Sequence, residues 1–391
     1  MTIDRPRTLP ITSSDRGTEM HRGAAIGFLR FSLGYWRSPE ALAATLLAGA
    51  AVGLLLLNVV INIGLNSWQR WFFDMLERKQ AAEIVPALGV FAGLILAGAA
   101  CAVAMVYCRM TLQMSWRRWT TTTLIDRWVW HGRNGNFQVD GERQGSPEYR
   151  IVEDVRLGTE PLVELAIGFA NALLLGVTFA GILLTVGGSL TVHLSGVTVV
   201  IPAYFCIAAV LYASMVSSLM FVIGQPLMRR VAQKNEAEGQ FLFELSHAAV
   251  GYTEERSEPP GVRGAAAARA FETTTAAFNG VMRRWQLVIR EYCRVTWMTN
   301  SNTFFAPVLP LFLAAPKYVS GELSLGAVMQ LAAAFTIVLG ALNWLTDNYV
   351  RIAEWSASAR RVDELRHALD SSGCAEEVSG GADEASGQLR R

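Results

Sequence analysis

Apolar residues in this chain gather into blocks. Runs close to twenty residues or longer fall at about 41–64, 86–108, 162–187, 197–223, 299–319 and 325–346. A bilayer core roughly 30 Å thick takes about 20 apolar residues per helical crossing, so the pattern predicts six transmembrane helices and an all-α membrane protein. The fifth run is the least apolar: Pro307, Pro310 and Pro316 interrupt it, and Asn300, Ser301, Asn302 and Thr303 open it. Membrane helices tolerate such prolines where neighbours satisfy the freed carbonyls. The links between crossings alternate in length. Those on one side are short, about 20, 10 and 5 residues, whereas 109–161 and 224–298 hold 53 and 75. Thr111 to Trp130 has neither Gly nor Pro and is rich in helix formers and aromatics, and Leu227 to Ala249 has a similar composition, so both extend their crossings as helices. Turn residues mark the connector in each long link, Gly132, Gly135, Gly141, Gly145 and Pro147 in the first and Pro259, Pro260, Gly261 and Gly264 in the second. The expected domains are a segment 1–40, a six-helix body 41–370 and a polar tail 371–391 too poor in apolar residues to fold.

Composition agrees: of 391 residues, 52% are hydrophobic and 17% charged, with a mean hydropathy of +0.29. A net charge of +1 predicts no nucleic-acid partner; its distribution sets the orientation. Thirty of the 34 Lys and Arg residues lie before the first crossing, in the two long links and after the sixth; Arg70, Arg78, Lys79 and Lys317 lie on the other side. By the positive-inside rule the long links and both termini face the cytoplasm of a multi-pass inner-membrane protein. The charged stretch 1–39 does not read as a cleaved signal. Five scattered cysteines without a CxxC pair predict packing residues, and no metal or cofactor is expected.

Candidate chemistry rests on acidic residues near apolar runs. Glu153, Arg156, Glu160 and Glu164 recur at helical spacing along one face entering the third crossing. For the first three the simpler reading is a solvated face. Glu164 lies beyond Pro161 in an apolar run, where a carboxylate usually faces a cavity and marks a pathway. In the sixth crossing Asn343, Asp347 and Arg351 follow at four-residue steps with Glu354 beyond; these read equally as interfacial charges or as cavity lining. Glu291, on the helix entering the fifth crossing, is a further candidate. Trp68, Trp71, Phe72 and Phe73 read as an interfacial belt, and Trp116, Trp119, Trp128 and Trp130 as packing between helices. An intramembrane enzyme is not expected: the five histidines are dispersed and no HExxH occurs.

Six crossings with two deep cytoplasmic hairpins follow the plan of an ABC-exporter transmembrane half, of type IV. Four stretches carry a closer resemblance: LNSWQRWFFDML (Leu65 to Leu76), SWRRWTTTTLIDRWV (Ser115 to Val129), GSPEYRIVEDVRLGTE (Gly145 to Glu160) and LNWLTDNYVRIAEWSASARRVDEL (Leu342 to Leu365). Together they resemble the SbmA/BacA-like transporters and the related ABCD-type permeases. That family's turn usually reads Asn-Pro-Asp-Gln-Arg-Ile; Ser146, Pro147, Glu148, Tyr149, Arg150 and Ile151 stand there in this chain. The resemblance implies a homodimeric importer of peptides, antimicrobial peptides among them, or of bulky hydrophilic molecules such as cobalamin.

A phosphate loop needs lysine directly after glycine, but the three lysines follow Arg78, Gln233 and Pro316. Two readings follow. In one, an ATPase-free homodimer with no enzymatic activity is driven by the proton gradient through cavity carboxylates, with Glu164 and Asp347 foremost and Glu160, Glu291 and Glu354 assisting. In the other, the chain is a permease whose ATPase is a separate polypeptide docking at 132–146 and 252–264.

Overall fold

The computed structural model describes residues 27–131, 147–194, 197–254 and 260–388. Its long helices are α1 (Ala41–Glu77), α2 (Ile84–His131), α3 (Val155–Gly187), α4 (Tyr204–Glu254), α5 (Pro260–Val319) and α6 (Leu325–Gln388). Strands β1 (Ser189–Leu194) and β2 (Val197–Pro202) pair antiparallel, Ser189 opposite Pro202 and Leu194 opposite Val197. As expected, α2 and α4 continue unbroken past their apolar runs, to 48 and 51 residues. Pro260 opens α5, where a missing N–H leaves no helical bond unmade. The first connector, 132–146, and residues 255–259 of the second lie outside the described residues.

Three expectations need correction. Among the described residues five stretches, not six, are long and apolar enough to cross a membrane: Ala41–Glu77, Ala81–Trp130, Arg150–Gly187, Tyr204–Ala248 and Leu325–Leu369. The run 299–319 is helical, but its prolines, its Asn and Thr residues and Lys317 dilute its hydropathy. The first helix does not end near 64. It runs to Glu77 because Asn66 and Met75 remain buried against neighbours, which shortens the link to α2 to a few residues. The fourth run starts as a strand, and α4 begins only at Tyr204. The backbone of α6 is also helical through 371–388, a stretch whose Ala375, Glu376, Glu377 and Ala385 are good helix formers.

The chain divides into two compact units, 1–178 with 340–391, and 179–339. In the first, residues 27–32 form a helical turn that runs into a 3₁₀ turn, Leu33–Arg37, ahead of α1. The turn is amphipathic and buries Phe28 and Phe31 against Leu124 of α2, Val155 of α3 and Ala359, Val362 and Leu365 of α6. Tyr35, fully buried, stacks on Trp116 at 6.2 Å, and burial pushes its phenol pKa up, so it packs as a neutral ring. Gly158 gives Phe28 room, since a Cβ there would lie 3.1 Å from the Phe28 ring. A Cβ at Gly176 would come within 2.9 Å of Ala341 Cβ, a small-residue crossing of α3 and α6. Trp68 is not simply part of an aromatic belt: its indole N–H donates to the Ala87 carbonyl at 2.8 Å, and its ring stacks on Phe91 of α2.

In the second unit α4 and α5 lie side by side, with Ala237, Val281 and Val288 buried. Tyr212 donates to Asn302 Oδ1 at 2.8 Å, which gives one of the polar groups opening the fifth run a partner. The turn between α3 and β1 depends on Gly188, whose φ of +64° suits only glycine readily. Next to it, Lys317 Nζ donates to the Gly187 carbonyl at 2.7 Å, a cation at a helix C-terminus. Gly188→Ala should therefore destabilise this turn by about 1–2 kcal/mol, because the backbone is strained and a Cβ would lie 3.3 Å from Lys317 Nζ. Thermal unfolding of the purified variant checks this; an unchanged midpoint would refute it.

Candidate translocation site

A helical turn, Pro147–Tyr149, and a π turn, Arg150–Asp154, lead into α3. π turns are rare and concentrate at functional segments. Asp154 is buried, and its Oδ1 accepts from Arg361 of α6 at 2.8 Å. One turn on, Trp355 of α6 donates its indole N–H to the Gly158 carbonyl at 2.9 Å, and Gln113 of α2 donates to the Glu160 carbonyl at 2.7 Å. The start of α3 is thus tied to α2 and α6 through backbone and side chain together.

The acidic face expected along α3 is present but is not a merely solvated one. Arg156 pairs with Glu153 and reaches Glu160 at 3.8 Å, while Glu160 also accepts from Arg117 of α2 at 2.7 Å. Glu164 lies between two guanidiniums, 3.4 Å from Arg109 of α2 and 2.7 Å from Arg351 of α6, so one carboxylate bridges three helices. Asp347 is exposed on α6, and its side chain makes no hydrogen bond or ion pair among the described residues, although Arg351 follows it by four. Glu354 is exposed as well. Glu291 lies in the other unit, 8% exposed and paired with Arg294 at 3.0 Å. The structure therefore gathers Glu160 and Glu164 on one helix face of the first unit, where Asp347 and Glu354 lie on α6; Glu291 belongs to the other unit.

Within the first unit a cavity of about 400 Å³ opens beside Glu164, lined from α1, α2, α3 and α6. Arg109, Glu164 and Arg351 form one polar group in its wall; Asn58 and Asn171 form another, with Asn58 Nδ2 donating to Asn171 Oδ1 at 2.9 Å. Leu55, Ile167 and Trp344 supply apolar lining. Gly168 lets Trp344 approach α3, since a Cβ there would lie 3.1 Å from its Nε1. Arg109, Asn58 and Asn171 were not among the residues singled out from sequence. A signal did exist: Asn58, Asn62 and Asn66 recur every fourth residue in an apolar run, and an amide inside a crossing generally faces other protein or a cavity. Among the described residues no group of three His, Cys, Asp or Glu side chains could hold a metal ion.

Comparison with known proteins places this sequence in a family. The family model for ABC transporter transmembrane region 2 matches residues 34–319. The chain is 25% identical over 333 residues to the inner membrane ABC transporter ATP-binding protein YddA of Escherichia coli, covering 85% of this chain and 58% of that protein. It is 21% identical over 359 residues to ABC transporter D family member 2, chloroplastic, of Arabidopsis thaliana, covering 88% and 46%. A third relative, an uncharacterized ABC transporter ATP-binding protein of Synechocystis, is 25% identical over 329 residues, covering 83% and 46%. The chain thus spans about half the length of the curated relatives it matches. These relatives overturn the expectation of a protein without enzymatic activity, because ABC transporter ATP-binding proteins point to a transporter that hydrolyses ATP. With the matched region covering most of its length and five of its long helices apolar enough to cross a bilayer, the chain belongs to the family of ABC transporter transmembrane region 2.

Proposed function

We propose that this chain is the membrane-spanning half of an ATP-driven transporter, working as two copies around a route across the inner membrane, with ATP hydrolysed by a domain outside these 391 residues. The observation that carries the reading is the family match over 34–319, made by a sequence in which no lysine follows a glycine and which therefore holds no phosphate loop of its own. In this reading the outer part of α5 is the fifth of six crossings, its Asn302 partnered by Tyr212. The basic links face the cytoplasm with both termini, as charge asymmetry favours. Leu242, Phe243 and Phe271, between 60% and 74% exposed on α4 and α5, offer apolar surface for a second copy. The SbmA/BacA-like resemblance supports peptides or bulky hydrophilic molecules as cargo. The bridging of Glu164 by two arginines favours a structural role for it over that of a mobile proton carrier.

Right-side-out vesicles from cells producing the transporter with its ATPase, loaded with ATP or without it, test the energy source. Uptake of a labelled cargo should require hydrolysable ATP and persist when a protonophore collapses the proton gradient. Uptake that ignores ATP and stops with the protonophore would instead favour the proton-driven reading and send attention to Asp347, an exposed carboxylate on α6.

A further inference from the structure

Helices α3 and α4 are joined only by the β1–β2 hairpin: α3 ends at Gly187 and α4 begins at Tyr204. Residues 188–203 contain no Lys, Arg, Asp or Glu, so the chain leaves one apolar run and enters the next without a charged segment between them. The strand register sorts the hairpin into two sets of positions, because successive residues alternate across a strand and directly opposite residues share a face. Leu190 opposite Ile201, Val192 opposite Val199 and Leu194 opposite Val197 make up the first set, aliphatic at every position. Ser189 opposite Pro202, Thr191 opposite Val200 and His193 opposite Thr198 make up the second, in which four of six residues are polar. At the base of the hairpin the sets already differ in exposure: Leu190 and Ile201 are half-buried, whereas Ser189, Thr191, Val200 and Pro202 are exposed. A two-stranded ribbon is marginal alone in water, having no second layer to cover its apolar side. Neither strand packs broadly on a helix among the described residues.

We propose that the hairpin is a membrane-surface element whose aliphatic set of positions lies in the lipid leaflet opposite the basic links. Three features favour lipid over a second copy or another protein. Apolar surface leads up to the hairpin from both neighbouring helices: Leu184 in the last turn of α3, and Ile207 and Leu211 in the first turns of α4, are 46% to 65% exposed. The lack of charge in 188–203 removes the main cost of contact with acyl chains. Finally, a sheet of only two strands keeps unpaired N–H and C=O groups along both edges, which the hydrocarbon core does not tolerate. Lying flat at the headgroup boundary, about 5–10 Å deep as amphipathic helices do, the hairpin meets acyl chains with one face while water and headgroups reach its edges. There it fixes the depth of the ends of α3 and α4. Only the choice of leaflet rests on the transporter reading.

The fluorescent amino acid Anap, placed singly at Val192 or Val199 of the first set and at Thr191 or Thr198 of the second, reports on each face in the full chain in phosphatidylcholine nanodiscs. At Val192 and Val199 its emission should shift to the blue and be quenched severalfold more by phosphatidylcholine with a nitroxide near the top of its acyl chain than by aqueous iodide. At Thr191 and Thr198 the order should reverse. Iodide quenching at all four positions would put the hairpin in water, and protection of Val192 and Val199 from both quenchers would put protein over them; either result overturns the proposal. Adding phosphatidylglycerol should leave the pattern unchanged, since 188–203 holds no Lys or Arg; lipid quenching that depends on the anionic lipid would overturn it too. A measurement without the bulky label guards against its disturbing the strands. Val199→Asp should speed hydrogen exchange over 189–202 severalfold, while Thr198→Asp, one residue away in the other set, should leave it near the parent rate; equal effects of the two would refute an amphipathic hairpin. Because no readout uses ATP or cargo, failure here leaves the energy source of transport untouched, and a failed ATP test leaves this result standing.

Discussion

Arg361→Met should destabilise the protein by about 3–5 kcal/mol, the usual loss when one partner of a buried ion pair is removed. The asymmetry of the pair gives the reason. Asp154 has a side chain only 2% exposed, whereas Arg361 is 36% exposed and also donates to Ser358 Oγ at 2.8 Å. Without the guanidinium, the carboxylate is left dry and unpaired; without the carboxylate, the guanidinium still reaches solvent and Ser358. Asp154→Asn should therefore cost less than Arg361→Met. The double variant Asp154→Leu with Arg361→Met should recover most of the loss, because two apolar groups leave no buried charge. Thermal unfolding of Asp154→Leu, Arg361→Met and the double variant in detergent forms a double-mutant cycle, with Asp154→Asn measured beside it. Equal losses in both single variants, or a double variant no better than Arg361→Met, would show that the pair does not hold α3 to α6.

Phe28→Ala carries the second large effect, about 3–5 kcal/mol for deleting a fully buried aromatic ring. The loss falls on a narrow part of the molecule. Phe28 belongs to a short amphipathic turn whose attachment to α2, α3 and α6 depends on Phe28, Phe31 and Tyr35, whereas α1 and α2 also hold each other along their lengths. Hydrogen exchange should accelerate over 27–37 and over the facing part of α6 near Val362, with little change in the outer half of α1. Uniform acceleration through the whole first unit would mean that the turn is integral to the bundle instead of docked on it.

The extent to which this architecture could be read in advance follows from what each signal measures. Long apolar runs located α1, α2, α3 and α6 because burial in lipid depends on hydropathy and length alone, and the absence of Gly and Pro after Thr111 indicated that α2 would carry on as one helix. Hydropathy was blind to conformation at 197–202, where Val197, Val199, Val200 and Ile201 suit a strand as readily as a helix; pairing with 189–194 decided it. Glu164 was conspicuous because a carboxylate in an apolar run is costly. Its partners were not readable, since Arg109 lies 55 residues before it and Arg351 lies 187 residues after it, and only tertiary packing brings the three together. The same holds for Asp154 and Arg361, an ordinary acid near a helix start and an ordinary base in an exposed-looking run until α6 folds across the π turn.

The unbroken course of α2 has a mechanical consequence. Forty-eight residues at 1.5 Å each make a rod about 72 Å long, more than twice the roughly 30 Å thickness of the hydrocarbon layer. From Ala99 to His131 it contains neither glycine nor proline, the usual sites of bending. Such a shaft behaves as a lever with its fulcrum in the bilayer. A pivot of about 5° would sweep an arm of about 40 Å through roughly 3.5 Å at its tip. A pull of that size applied at His131 would be felt around Arg109 as a smaller displacement with greater force, and there the guanidinium shares its carboxylate with two other helices.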